Sequence, residues 1–390
     1  MSTVPGSNNA NFEPNVADCP KIFQLRMLLI CDLERNMTLK LHLFAGFSLL
    51  VGAVAACSNP AEAPEDTVAD APPKVLTVYS SRHYDSDKEL FAMFEAETGA
   101  RLDVRESGAS QLLETMKAEG AQSPADIVIA ADAGSLWRFK DAGLTQPLVS
   151  EDLAALVPEN YRESDGHWYG VARRMRGIAY DPTRWSADEL SNWQVLADAD
   201  KSGEICVRSS SNIYNLSLMG EIIHRYGAET AQNWATAVVG NMARNPQGGD
   251  TDQIRAIAAG ECSIAIVNHY YWIRLAASEN ETDNEVAAST AFLLPEFEQG
   301  SGSHINITGA AVTATADDLA LAESFIAFLL TETGQDYITR DTKELPLLEG
   351  APLPQGVDKV PAFTASDTSL EIYGENQAEA QRLFDLAGWN

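Results

Sequence analysis

Strand-like and helix-like segments alternate from Lys74 to the C-terminus, which predicts an α/β fold with a mostly parallel sheet flanked by helices. Two observations support this. Short apolar runs such as Val75 to Tyr79 and Ile264 to Val267 have the composition of buried strands. The helical stretches between strands stop at glycines, Gly99 and Gly260 among them, where the chain can enter the left-handed region.

Taken in order, Val75 to Tyr79 is the first strand. Ser86-Asp87-Lys88-Glu89 reads as a capping box opening a helix to Thr98, with Leu90, Phe91 and Phe94 on one apolar face. A strand at Leu102 to Arg105, a helix from Ser110, a strand at Asp126 to Ala130 and a helix after Gly134 complete a first βαβαβα series. A second series runs from about Arg173 to Pro295. It holds a strand at Ile205 to Val207, a serine-rich helix start at Ser209-Ser210-Ser211-Asn212, a helix at Asp252 to Ala259 and the strand Ile264 to Val267. A strand at His304 to Thr308 and helices at Leu319 to Leu330 and Glu375 to Leu386 follow.

The N-terminal segment reads as targeting rather than fold. Met37 to Lys40 is a short basic start, and residues 41–56 are apolar but too short to span a bilayer comfortably. Val54-Ala55-Ala56-Cys57 has the form of a bacterial lipobox, so residues 37–56 are expected to be a signal peptide and Cys57 the lipidated first residue. Residues 1–36 fit no part of this scheme and read as an upstream extension of the frame. Residues 57–73, rich in Ala, Pro and acidic side chains, are expected to form a tether that buries no core.

A net charge of -29 argues against nucleic acid, whose phosphates would be repelled. No G-x-S-x-G, Walker A, H-E-x-x-H, C-x-x-C or dinucleotide fingerprint is present, which lowers the odds of an enzyme. The notable chemistry is tyrosine. His83-Tyr84 follows the first strand, Tyr214 follows the serine-rich helix start, and Tyr270-Tyr271 follows the strand at Ile264. Ligands of open α/β sheets bind beyond the carboxyl ends of strands, so these segments can converge. Phenolate is a hard anionic oxygen donor suited to Fe³⁺ more than Fe²⁺, and binding must expel its proton. Four phenolates around Fe³⁺ leave one negative charge for Arg173, Arg174 or Arg176 to offset. Each signal alone also has an ordinary reading: the tyrosines as rim packing, the arginines as a solvated strand edge, Ser209 to Asn212 as capping or an anion site.

Together these segments resemble the periplasmic ferric-iron-binding proteins of bacterial ABC importers, within the transferrin-like type II solute-binding class. The resemblance rests on SSRHY from Ser80, SPADIVIAADAGSLWR from Ser123, DGHWYGVARRMRGIAYD from Asp165, RSSSNIYN from Arg208, NHYY from Asn268 and GSHINITGA from Gly302. It covers essentially all of Lys74 to Asn390. It implies a two-lobed periplasmic binding protein with the ligand in the interlobe cleft, and iron bound by His83, Tyr84, Tyr214, Tyr270 and Tyr271. Arg174 and Arg176 become outer charge partners, and His269 stands where the pattern more often has a smaller polar residue. Residues 74–171 with about 298–346 would form one lobe, and 173–297 with about 347–390 the other. The resemblance also implies a monomer with no catalytic role, tethered in the periplasm and delivering iron to an ABC permease and its ATPase.

Cys206 and Cys262 are the two cysteines of the folded part, and each lies eight residues before a tyrosine of the set, Tyr214 or Tyr270. If the two segments run along neighbouring parallel strands toward one metal, the cysteines lie near each other and form a disulfide. Two other functions stay open at this point. One is an oxyanion or organic-acid binder using Ser209 to Asn212 and the arginines. The other is a metal-dependent hydrolase, which would need an open metal position.

Overall fold

The computed structural model describes residues 72–390. The extension, signal segment, Cys57 and most of the tether lie outside the described residues.

The strands are β1 (Val75–Ser80), β2 (Arg101–Glu106), β3 (Ile127–Ala131), β4 (Tyr169–Tyr180), β5 (Ile205–Cys206), β6 (Ile264–Asn268), β7 (Ala291–Leu293), β8 (Ile305–Val312) and β9 (Leu345–Pro346). They are ordered β2-β1-β3-β8-β4-β6-β5, with β7 and β9 also paired to β4. The α/β class stands, but the sheet is mixed: five of the eight strand pairings are antiparallel. The cause is the long strand β4. Tyr169 to Met175 pairs antiparallel with β8, while Arg176 to Tyr180 pairs antiparallel with β6, so one strand passes from the first sheet into the second. Its second half runs in tight quarters; a Cβ on Gly177 would lie 2.4 Å from the Leu293 carbonyl oxygen of β7.

The apolar core divides accordingly. Leu76, Val78, Leu90, Phe94, Ile127, Leu136, Phe325 and Ile326 pack in the first half. Ile178, Trp193, Leu218, Trp234, Ile264 and Phe384 pack in the second, next to a smaller cluster around Cys206, Ile254 and Val267. Residues 347–390 contribute to both: Leu370, Ile372 and Tyr373 enter the first core, and Ala380, Leu383, Phe384 and Trp389 the second.

Two helix starts differ from the sequence reading. The first helix is Asp85–Thr98, and Tyr84 rather than Ser86 occupies its N-cap position. Ser86 is buried, its backbone N–H donates to the Asp341 carboxylate at 3.1 Å, and Asp87 turns inward to bind Arg82. The serine-rich stretch is not helical. The helix Ile213–Gly240 starts after Asn212, whose side chain accepts the Tyr214 N–H at 3.1 Å, while Ser209 and Ser211 bond each other at 3.0 Å. The last helix breaks at Asn376 into Glu371–Glu375 and Gln377–Ala387.

Cys206 at the end of β5 and Cys262 just before β6 form a disulfide, with Cα atoms 5.9 Å apart. β5 and β6 are parallel neighbours, with Ile205 opposite Ile264, which accounts for the equal offsets to the tyrosines beyond them. Among the described residues no helix is long and apolar enough to cross a membrane.

Candidate metal centre

Each of the four tyrosines sits at the start of a helix. Tyr84 immediately precedes Asp85–Thr98, at the end of the link from β1. Tyr214 lies in the first turn of Ile213–Gly240. Tyr270 and Tyr271 lie in the first turn of the helix His269–Ala276, directly after β6 ends at Asn268. That change from strand to helix lets adjacent side chains face one region, which a continuous strand would forbid. The positive end of a helix dipole also favours a negative group at each of these places.

Two arginines gather the tyrosines. Arg174 of β4 is buried, donates to the Tyr270 hydroxyl at 3.4 Å, and lies 5.3 Å from the Tyr270 ring and 5.7 Å from the Tyr214 ring. Arg274 donates to the Tyr84 hydroxyl at 3.1 Å and lies over the rings of Tyr270 and Tyr271, at 5.0 and 5.6 Å. The Tyr270 and Tyr271 rings are 4.6 Å apart, and Asn268 Nδ2 donates to the Tyr270 hydroxyl at 2.9 Å. Tyr84, Tyr214, Tyr270 and Tyr271 therefore share one neighbourhood. His83 stands at its edge, exposed, with its ring stacked on Tyr84 at 5.1 Å.

The two predicted charge partners differ in what they do. The Arg176 guanidinium is consumed by Asp250 at 3.1 Å, Asn268 at 2.8 Å and Asn215 at 2.6 Å, all buried. Arg174 is the one that reaches a tyrosine hydroxyl. Arg208, from the loop before Tyr214, also pairs with Asp250 and lies 5.6 Å from the Tyr214 ring. Arg173 instead donates to the Pro346 carbonyl at 2.9 Å. His269 turns away: its Nδ1 faces the backbone of Met175, and burial holds its imidazole down at about 4, so it is a neutral core residue near neutral pH.

Burial, then the neighbouring Tyr214, pushes the Tyr270 phenol well above its usual range, against the pull of Arg174. Tyr271 is raised by burial and by Tyr214, with Arg208 opposing. Both phenols keep their protons near neutral pH, so a cation that takes them as phenolates must release protons on binding. No group of three or more His, Cys, Asp or Glu side chains converges to hold a metal among the described residues. Tyrosine oxygen is then the anionic donor type this centre offers.

A model of the bacterial extracellular solute-binding proteins matches residues 89–365. The chain belongs to this family. It is a binding protein rather than an enzyme, working outside the cytoplasm. The Synechocystis iron uptake protein A1 is 38% identical over 93% of this binding protein and 100% of its own length. Among solved structures, a Trichodesmium protein called IdiA or FutA, in complex with iron and citrate ligands, superposes with a TM-score of 0.79. It is 37% identical, covering 81% of this chain and 100% of that one. The Mannheimia haemolytica ferric iron-binding protein A, in an open conformation, gives 0.74 at 29% identity over 81% and 99%.

Sequence reasoning missed Arg274, Glu344, Thr342 and Asp250. Arg274 carried a usable signal, because it lies four residues after Tyr270 and so on the same helix face. Glu344 carried none, since it meets Arg174 from 170 residues further along the chain.

Proposed function

We propose that this binding protein captures iron, as Fe³⁺, through the hydroxyls of Tyr84, Tyr214, Tyr270 and Tyr271 with His83 as a further ligand, and delivers it to an ABC importer. The observation carrying this reading is the convergence of four tyrosines from three helix starts on two buried or half-buried arginines. Relatives named for iron uptake and ferric-iron binding support the choice of cargo. Phenolates match a hard trivalent ion, and Arg174 offsets the one negative charge left by four of them. Arg274 donates to the Tyr84 hydroxyl, so the incoming cation competes with it there.

His83 and Tyr84 belong to the half built on residues 74–171 and about 298–346, and the other three tyrosines to the half built on 173–297 with most of the remainder. Iron bound to both halves would favour their closed arrangement through its differential affinity for it. The signal peptide at 37–56 and lipid on Cys57 belong to the same proposal. An intact mass from the native host that begins at acylated Cys57 is their readout.

The test is the visible charge-transfer band of phenolate bound to iron(III). Tyr214→Phe should lose colour and affinity while keeping the parent's circular dichroism, and Tyr270→Phe with Tyr271→Phe should lose more. Parent-like iron binding in both would refute the ligand set. A second reading, organic-acid binding, is favoured by one feature: a cleft beside Tyr214 lined by Ser110, Gln111, Ser135, Arg138, Ser211 and Asn212. Calorimetry with citrate and no added metal separates the two, because the iron reading expects no heat from citrate alone.

A further inference from the structure

Both arginines that donate to hydroxyls of the four tyrosines are held by one turn of three residues. Thr342, Lys343 and Glu344 join the helix Glu332–Arg340 to β9. The Glu344 carboxylate binds the Arg174 guanidinium and accepts the Thr308 hydroxyl at 2.9 Å. The Thr342 carbonyl accepts Arg274 twice, from Nε at 3.2 Å and from Nη2 at 2.9 Å. The turn is closed by the Glu344 N–H donating to the Thr342 hydroxyl at 3.2 Å. Thr342 is 0% and Glu344 2% exposed, so water does not compete for these bonds.

The residue between them is strained. Lys343 has φ 61°, and among the described residues the one other non-glycine with positive φ is Asp132, at 84°. A lysine adopts this conformation where its surroundings over-determine it. Here the end of the helix sets it: the Lys343 N–H donates to the Thr339 carbonyl at 2.8 Å, closing a left-handed cap, and the residues on either side of it meet the two arginines. With Lys343 in the left-handed region, the Thr342 carbonyl points to Arg274 while the Glu344 carboxylate points to Arg174. Arg274 in turn reaches the Tyr84 hydroxyl from one half of the molecule, and Arg174 reaches Tyr270 from the other. Arg82, whose guanidinium lies 5.3 Å from the Tyr84 ring, also approaches Glu344, with Nη1 3.7 Å from Oε2.

We infer that the Thr342-Lys343-Glu344 turn is the positioning element of the tyrosine centre: it makes no hydrogen bond to the four tyrosines, and it sets the two arginines that orient the tyrosine oxygens of both halves. This rests on the iron reading above. Neither Glu344 nor Lys343 is offered as a ligand.

The test uses iron(III) nitrilotriacetate with the parent, Glu344→Gln, Lys343→Val and Lys343→Gly. The band maximum, the affinity by chelator competition and far-UV circular dichroism are read for each. Glu344→Gln keeps the shape of the carboxylate and removes its charge, so it should move the band and weaken iron by about 10–100-fold. The Lys343 variants both remove the ammonium, but only valine resists positive φ. Lys343→Val should therefore bind about ten-fold more weakly than Lys343→Gly. A folded Glu344→Gln with the parent's band and affinity overturns the inference, as do two Lys343 variants that bind alike. Should Glu344→Gln fail to fold, the Lys343 pair decides. A parent that shows no charge-transfer band overturns the iron reading itself, a result distinct from either of these.

Discussion

Glu221 is a buried carboxylate whose loss should be visible as a pH-dependent loss of stability. It lies seven residues beyond Tyr214 on the same helix, 0% exposed. It pairs with His304 Nδ1 at 2.6 Å and accepts from Ser366 at 2.7 Å, Tyr373 at 2.9 Å and Arg225 at 3.0 Å. Arg225 lies on the same helix, but His304 comes from the entry to β8 and Ser366 and Tyr373 from the C-terminal segment, so one carboxylate ties the Tyr214 helix to both. Burial alone would raise its pKa, but the bond and charge of His304, with Ser366 and Arg225, hold it at about 2 against an ordinary 4.5. A carboxylate depressed in the folded state stabilises that state above its unfolded pKa, and the contribution disappears as pH falls from about 4.5 to about 2. A gap of that size corresponds to about 3 kcal/mol, a sizeable share of the roughly 5–15 kcal/mol that holds a typical protein folded. Glu221→Gln should lower the urea-unfolding free energy at pH 7 by about 3 kcal/mol. The difference from the parent should shrink steadily below pH 4.5. A difference that is the same at pH 7 and pH 3 would show that Glu221 acts through packing alone and would refute the charge argument.

Two further outcomes follow from the same geometry. Replacing Cys206 and Cys262 by serine opens a loop of 56 residues and should cost about 4 kcal/mol on the loop-entropy account, read as a lower melting temperature of the double variant. Gly177→Ala places a methyl 2.4 Å from the Leu293 oxygen, so β7 must move off β4. Its cost should be about 1–3 kcal/mol, measured by denaturant titration; a variant as stable as the parent would show that β7 yields freely.

That the four tyrosines converge was legible in the sequence, because each follows a recognisable strand or helix start. The disulfide was legible because equal offsets to Tyr214 and Tyr270 translate into neighbouring positions on parallel strands. What the sequence hid is nonlocal. The capping-box pattern at Ser86 was defeated by Asp341, which satisfies the same N–H from 255 residues away. The sheet's mixed sense comes from β4, antiparallel to four partners, and from β8 returning between β3 and β4, and no local periodicity reports a strand's direction. The arginine clamp was hidden for the same reason, since Glu344 and Thr342 meet Arg174 and Arg274 only after the chain has come back.

That return of β8 also governs the order in which the molecule can be completed. β3 has β1 on one side, and its other edge is covered by β8, where Ile127 lies opposite Val312. Until the chain has been made as far as β8, the first sheet has an open edge in its middle, and β4 has no bridge to it. Pairings so distant in sequence close slowly, because loop entropy must be overcome before any contact forms. The sheet β2-β1-β3 therefore gains its covering strand only when the chain has been made to Val312, so folding of the N-terminal half is coupled to residues far beyond it.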